Sequence, residues 1–486
     1  MEVRTRIAPS PTGYPHIGTI YQVLFDYVLA KSTNGKFIVR IEDTDRNRFV
    51  EGAEEVIFAS LEWFGLNPDE DPLVGGPFAP YRQSERLDIY KKYILELVDA
   101  GHAYYCFCTK ERLEEMRKKQ EAEKRPPMYD KTCMGLSVDD VKAKLDENLS
   151  HVVRMKIPEN REIKVTDTIL GEVKFDSNLI DHQVILKADG FPTYHLAVVV
   201  DDYLMKISHV IRGQEWLPST PKHILLYEYF GWEKELPQFV HLPLILNTEG
   251  GGKLSKRHGH ATVDYYKSEG YLPEAVLNYL ANIVWNHPDG KEIFPIMDLA
   301  QVFELDAENK ITHVQIYSQG PRFDLHKLLW MNGEYIRAMS DEDLAKRIED
   351  FLVDHPNIAV VAKLVPLVKE RIKKLSDFVP LTSFVFVKPE YDLEMFQKIK
   401  VDNVKELIVK ISEKVEALEK PWDSQKFEET FRKMAKEQGI QVRDMFQLLR
   451  LIFAGQPVTP PLFETLQIMG EDESVERAKA AAAFVR

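Results

Sequence analysis

The sequence predicts an α/β protein with an all-α rear: a doubly wound parallel sheet interrupted by an inserted segment, then helical domains. Three observations carry this. The first forty residues spell strand, turn, helix and strand; alternating apolar sequence returns beyond Gly190; and helical spacing dominates after Arg257.

In order, Val3 to Ala8 alternates as a strand does, and Pro9 to Gly18 is rich in turn residues. Ile20, Val23, Leu24, Tyr27 and Val28 then recur at helical spacing, and Asn34-Gly35 stops the helix. Phe37, Val39 and Ile41 make a second strand ending at Glu42. Ligands in such folds sit beyond the carboxyl ends of the strands, where Ser10, His16 and Glu42 fall. From about Tyr81 to Gly190 the character changes: a charged helical stretch, Lys110 to Lys124, is broken by Arg125-Pro126-Pro127 and reads as inserted between two halves of the sheet. Strand-like sequence resumes over Thr193 to Val200, Ile207 to Ile211 and Phe239 to Leu246, with an amphipathic helix over Pro221 to Phe230. Helical spacing is clear in Val360 to Phe378, Val404 to Leu418 and Phe427 to Ala435.

A chain of 486 residues should hold several domains, because single cores seldom grow beyond about 250–300 residues. No apolar run reaches the roughly 18 residues that span a bilayer, and the start is charged rather than signal-like, so a cytoplasmic location without membrane contact is expected. Three clustered cysteines rule out a disulfide framework and point to reduced thiols or a metal. The net charge of −14 does not exclude a nucleic-acid partner, since phosphate binding depends on where Lys and Arg cluster.

Two short pieces carry chemistry. Pro9-Ser10-Pro11-Thr12-Gly13-Tyr14-Pro15-His16-Ile17-Gly18-Thr19 places a histidine and glycines at a strand-to-helix turn, where backbone N–H groups receive phosphate. Lys253-Leu254-Ser255-Lys256-Arg257 places two ammonium groups around a serine, after three glycines. Together they suit cleavage of ATP between its α and β phosphates, one piece cradling the triphosphate while the other closes over it as charge builds.

These pieces, with Arg6-Ile7-Ala8-Pro9, Ile41-Glu42-Asp43-Thr44-Asp45, Tyr81-Arg82-Gln83-Ser84, Tyr194-His195-Leu196-Ala197, Val210-Ile211-Arg212-Gly213-Gln214-Glu215-Trp216 and Leu329-Trp330-Met331-Asn332-Gly333, resemble the class I glutamyl-tRNA synthetases of bacterial type. His16-Ile17-Gly18-Thr19 is similar to the HIGH signature of that class, and Lys253 to Arg257 to its KMSKS signature. The resemblance implies a Rossmann-type catalytic domain (1–81 and 191–246), an inserted acceptor-binding domain (82–190), a stem-contact domain (247–331) and a helical anticodon-binding region (332–486). It also implies a monomer.

The implied reaction has two steps. Glutamate attacks the α-phosphate of ATP to give glutamyl-adenylate, and the 2′-OH of the terminal tRNA adenosine then takes the glutamyl group. Such transfers call for positioning and electrostatics rather than a covalent enzyme intermediate. The resemblance assigns His16, Gly18, Lys253 and Lys256 to catalysis, and Thr12, Gly13, His16, Gly18 and Lys256 to ATP. It assigns Arg6, Ser10, Glu42, Tyr194 and Arg212 to glutamate, with Glu42 on the α-ammonium and arginine on the side-chain carboxylate, which a planar guanidinium grips through paired hydrogen bonds. Mg²⁺ is expected with ATP.

Cys106, Cys108 and Cys133 match a zinc pattern of some family members; Gly135 stands where some have histidine, and Tyr129 is the fourth ligand that the family suggests. In the rear, Arg371, within Lys369 to Lys374, matches an anticodon-reading arginine that favours tRNA-Glu over tRNA-Gln. The expected partners are tRNA-Glu, L-glutamate and ATP. A non-discriminating enzyme that also charges tRNA-Gln with glutamate is the alternative. A non-catalytic tRNA-binding regulator is disfavoured by the intact His16, Glu42, Arg212, Lys253 and Lys256.

Overall fold

The computed structural model describes residues 2–46, 48–247, 252, 254, 259–352 and 358–485. Strand β1 (Arg4–Ile7) leads through a turn into helix α1 (Ile17–Ser32), and β2 (Lys36–Val39) returns parallel to β1, Arg4 opposite Lys36 and Ile7 opposite Val39. Helix α1 buries Ile20, Val23, Leu24 and Val28. Each such side chain contributes about 1.5–3 kcal/mol relative to leaving it in water. At the α1–β2 turn, Asn34 takes the left-handed conformation at φ 53°. Gly35 is required for space: a Cβ there would lie 2.2 Å from the Val3 carbonyl oxygen.

In the inserted segment β3 (Ala103–Cys106) pairs antiparallel with β4 (Val152–Met155), a hairpin of β5 (Glu162–Asp167) and β6 (Gly171–Asp176) follows, and β7 (Val184–Leu186) closes on the other edge of β4. The charged stretch at 110 forms the expected helix, Lys110–Ala122.

Residues Thr193 to Val200 do not form a strand. They begin the helix Tyr194–Leu204, in which Leu196 to Val200 are all buried. A helix enclosed on every side shows no amphipathic stripe, so its β-branched run imitates a core strand. Beyond it, β8 (His209–Gly213) and β9 (Gln238–Leu242) pair in parallel, separated by helix Thr220–Tyr229. The sheet order is β6-β5-β9-β8. Arg4 N–H donates to Ser208 Oγ at 2.7 Å and Ser208 N–H to the Arg4 carbonyl at 3.0 Å, which sets β1 beside β8. The β5–β6 hairpin, although within 82–190, extends this sheet, with Asp167 of β5 opposite Phe239 of β9.

The chain divides into two compact units, Met1–Tyr265 with Val276–Asp324, and Tyr266–Ala275 with Leu325–Arg486. Short strands at Phe303–Leu305, Ile311–Val314 and Arg322–Phe323 interrupt the helical character expected after Arg257. The second unit is helical, and its helices Val404–Glu416 and Ser424–Glu437 fall where the spacing placed them. The expected helix over Val360 to Phe378 is split. It ends at Val368, and a new one starts at Phe378 after the Asp377 carboxylate accepts the Lys373 and Lys374 N–H groups at 2.9 Å. Among the described residues no helix is long and apolar enough to cross a membrane.

Candidate active site

The turn between β1 and α1 is built around its histidine. His16 is the N-cap of α1, and its Nδ1 accepts the Gly18 backbone N–H at 2.9 Å. With Nδ1 accepting, the neutral ring carries its proton on Nε2, the donor a phosphate oxygen needs. A Cβ at Gly18 would lie 3.0 Å from that same Nδ1, so glycine leaves room for the histidine ring. The first turn of α1 contains no acidic side chain, which keeps the positive end of the helix available to an anion.

A cleft of about 860 Å³ opens beside this turn. The expected residues Arg6, Ser10, Thr12, Gly13, His16, Glu42, Tyr194 and Arg212 all line it. Its size falls in the usual range of small-molecule sites, about 300–1,000 Å³. An adjoining cavity of about 460 Å³ shares His16, Thr19, Gln22 and Trp216 with the cleft, and Gly18 lines this second space.

Arg212 is 3 % exposed, and the four hydrogen-bond partners it has among the described residues are neutral. Nε donates to His241 Nε2 at 3.0 Å, one Nη to Tyr194 Oη at 3.0 Å and to His223 Nδ1 at 3.5 Å, the other to Thr220 Oγ1 at 2.8 Å. Burial lowers the Arg212 pKa, and burial first, then Arg212, drives His223 well below the ordinary histidine value. A buried cation among neutral partners is costly unless a carboxylate arrives.

The other charges form a network. Arg6 donates to the Asp202 carboxylate at 3.2–3.3 Å, and Arg40, 0 % exposed, reaches Asp202 at 2.8 Å, Asp201 at 3.5 Å and Glu42 at 3.5 Å. Burial alone would lower the pKa of both arginines, but the carboxylates, Asp202 first, hold them above their ordinary value. Burial pushes Glu42 up to about 7 against the pull of Arg40 and Arg6. Arg40, Asp202, His223 and His241 were not singled out by sequence reasoning. The available signal was a charge inside an apolar strand at Arg40, and Asp201-Asp202 directly after Leu196 to Val200.

Lys253 and Lys256 lie outside the described residues, as do Ser255 and Arg257; Leu254 is described. Leu254 is buried, lines the adjoining cavity with His16 and Gly18, and donates its N–H to the Ile245 carbonyl at 3.0 Å. Just past the motif, the Ala261 carbonyl accepts the Ile17 N–H at 2.8 Å and Val263 N–H donates to Pro15 at 3.2 Å. The chain at Ala261 and Val263 is thus hydrogen-bonded to the histidine turn.

In the inserted segment the Sγ atoms of Cys106, Cys108 and Cys133 lie within 4.8 Å of one another. Tyr129 Oη is 3.3 Å from the sulfurs of Cys106 and Cys108, and Cys108 Sγ is 3.5 Å from Cys133 Sγ. Tetrahedral zinc with Zn–S bonds of about 2.3 Å holds sulfurs roughly 3.8 Å apart, so this donor set fits zinc. In the second unit Arg371 stands in the turn after Val368, exposed, and donates to the Thr459 carbonyl at 2.6 Å. Of its basic neighbours, Lys369 pairs with Asp341 and Lys374 with Glu269.

Residues 2–318 match the family model described as tRNA synthetases class I (E and Q), catalytic domain, and residues 343–482 match an anticodon binding domain. The chain is 40% identical over 524 residues to a glutamate–tRNA ligase of Treponema denticola, covering 99% of both proteins. To that of Cellvibrio japonicus it is 43% identical over 484 residues, covering 99% of this chain and 93% of the relative. A crystal structure of a glutamate tRNA ligase from Elizabethkingia meningosepticum in complex with its amino acid superposes with a TM-score of 0.85 at 35% identity, covering 100% of each chain. With the cleft geometry and matches over both halves of its length, this chain belongs to the glutamate–tRNA ligase family of class I tRNA synthetases.

Proposed function

We propose that the protein activates L-glutamate with ATP to glutamyl-adenylate, releasing pyrophosphate, and transfers the glutamyl group to the 3′-terminal adenosine of tRNA-Glu. The observation that carries this is one cleft lined both by the histidine turn and by two incompletely neutralised charges of opposite sign, Glu42 and Arg212. Glu42 receives the α-ammonium, and Arg212, backed by Arg6, receives the side-chain carboxylate. Ser10 and Tyr194 add hydrogen bonds. The α-carboxylate is thereby turned toward the nucleotide, which enters as its magnesium complex.

Thr12, Gly13, His16 and the N-terminus of α1 hold the triphosphate, and Gly18 borders the adenosine. Lys253 and Lys256 stabilise the charge developing on pyrophosphate. Holding the reacting atoms in line supplies most of the acceleration, since effective molarities for oriented groups reach about 10⁵–10⁸ M.

The segment 82–190 takes the acceptor end of the tRNA, 247–331 contacts its stem, and 332–486 reads its anticodon, with Arg371 favouring tRNA-Glu. A zinc ion bound by Cys106, Cys108, Cys133 and Tyr129 cross-links the inserted segment. The protein acts as a monomer in the cytoplasm, where charged tRNA is consumed.

The test is charging of purified tRNA-Glu and tRNA-Gln with labelled glutamate, alongside ATP–pyrophosphate exchange with tRNA present. Glutamylation of tRNA-Glu alone is expected. Label on both tRNAs would make the enzyme non-discriminating, and no exchange or charging with either would overturn the proposal.

A further inference from the structure

The Arg212 guanidinium is held by a buried chain of groups that begins outside the cleft, on the hairpin that the inserted segment adds to the sheet. Asp167 closes β5 and is buried. Its Oδ1 accepts the N–H groups of Ile169 at 3.0 Å and Leu170 at 2.9 Å. Its Oδ2 accepts the His241 backbone N–H at 3.0 Å and lies 2.7 Å from His241 Nδ1. A carboxylate so well supplied with donors stays ionised, so Nδ1 must donate. On the opposite side of the ring, Nε2 sits 3.0 Å from Arg212 Nε, whose N–H can only donate. Nε2 is therefore the acceptor. A protonated imidazole, or the other tautomer, would set two N–H groups against each other. Burial holds the His241 pKa below its ordinary value despite Asp167, in keeping with a neutral ring.

We propose that Asp167 and His241 are positioning residues for amino-acid specificity: Asp167 locks His241 in the tautomer whose Nε2 accepts from Arg212 Nε, and this fixes the plane of the guanidinium. A guanidinium grips a carboxylate through a rigid fork, so rotation about its stem misaligns both bonds together. Thr220 and Tyr194 pin the two Nη groups, and the His241 bond supplies the third point that sets the fork. The proposal rests on the assignment of Arg212 to the substrate's side-chain carboxylate.

Asp167→Asn tests it. The oxygen of the new amide still serves the turn N–H groups, while its NH₂ faces Nδ1 and drives the His241 proton onto Nε2, against Arg212, and also leaves the His241 backbone N–H without its acceptor. In tRNA-dependent ATP–pyrophosphate exchange the KM for glutamate should rise about tenfold or more, the usual effect of leaving a buried charged donor unpaired. The KM for ATP should not change, and ¹⁵N NMR should find the His241 proton on Nε2.

His241→Gln, which offers an oxygen to Arg212 and an NH₂ to Asp167, should retain most of the affinity; His241→Leu should behave as Asp167→Asn does. That second pair carries the test if Asp167→Asn fails to fold. In an Arg212→Lys background, which lacks Nε, Asp167→Asn or His241→Leu should add nothing further. Parallel increases in both KM values, or full additivity with Arg212→Lys, would reduce the pair to a structural role and overturn the proposal. If Arg212→Lys alone left the glutamate KM and the preference over glutamine unchanged, the assignment of Arg212 would be the part that failed.

Discussion

Glu42 and Arg212 are buried charges in one cleft, each shifted by burial toward its neutral form. Under the proposed function, zwitterionic glutamate would supply what each lacks, an ammonium for Glu42 and a carboxylate for Arg212. A pH dependence follows. Below about pH 7 Glu42 in the unliganded protein takes up a proton and loses its attraction for the ammonium, so the KM for glutamate should rise as pH falls. The limit is about tenfold per pH unit. Glu42→Gln should have a higher KM that no longer varies with pH between 5.5 and 7.5, measured by tRNA-dependent pyrophosphate exchange. For stability the sign is opposite. A carboxyl whose folded pKa is raised from 4.5 to about 7 contributes fully below 4.5 and loses that contribution as pH rises to 7. At this scale Glu42 and Arg212 were legible because both fall at expected strand ends within motifs that resemble those of the glutamyl-tRNA synthetase family. Asp202 was not, because its partner Arg6 lies 196 residues away.

Among the elements, the β1–α1–β2 unit was readable because each piece has a local cause: alternation, helical spacing, and a turn. The turn's glycine has a cause that is not local. Gly35→Ala should destabilise the protein by about 2 kcal/mol or more, since the clash is with the backbone of Val3, just before β1, and no rotamer relieves it. Urea unfolding measures this, and an unchanged midpoint would contradict the β1–β2 packing. The helix Tyr194–Leu204 was misread for the converse reason: enclosure on all sides erases the stripe by which a helix is recognised. The cysteine cluster joins Cys106 and Cys108 to a separate segment carrying Tyr129 and Cys133. Protein purified without added zinc should contain about one zinc per chain by elemental analysis, and Cys133→Ser should lose it. Metal-free wild-type protein that is equally stable and active would remove zinc from the account.

At the scale of the molecule, two compact units each have their own core; in the second, Ile408, Ile411, Phe431 and Leu448 are fully buried. Separate cores need not unfold together, so calorimetry should resolve two transitions rather than one. Mutating Phe431→Ala should lower one of them and leave the other in place.

The amino-acid sequence alone determined the fold class, the histidine turn and the identity of the pocket's principal charges. The first two depend on composition and spacing within a few turns of chain, and the charges were identified through the family resemblance of the short motifs that carry them. Only the tertiary structure decided that 194–204 is a helix, that a hairpin from the inserted segment completes the sheet, and that Asp167, His241 and Arg212 form one buried hydrogen-bonded chain. These depend on which distant groups share a dry interior, and burial sets both the helix's environment and the pattern of donors and acceptors.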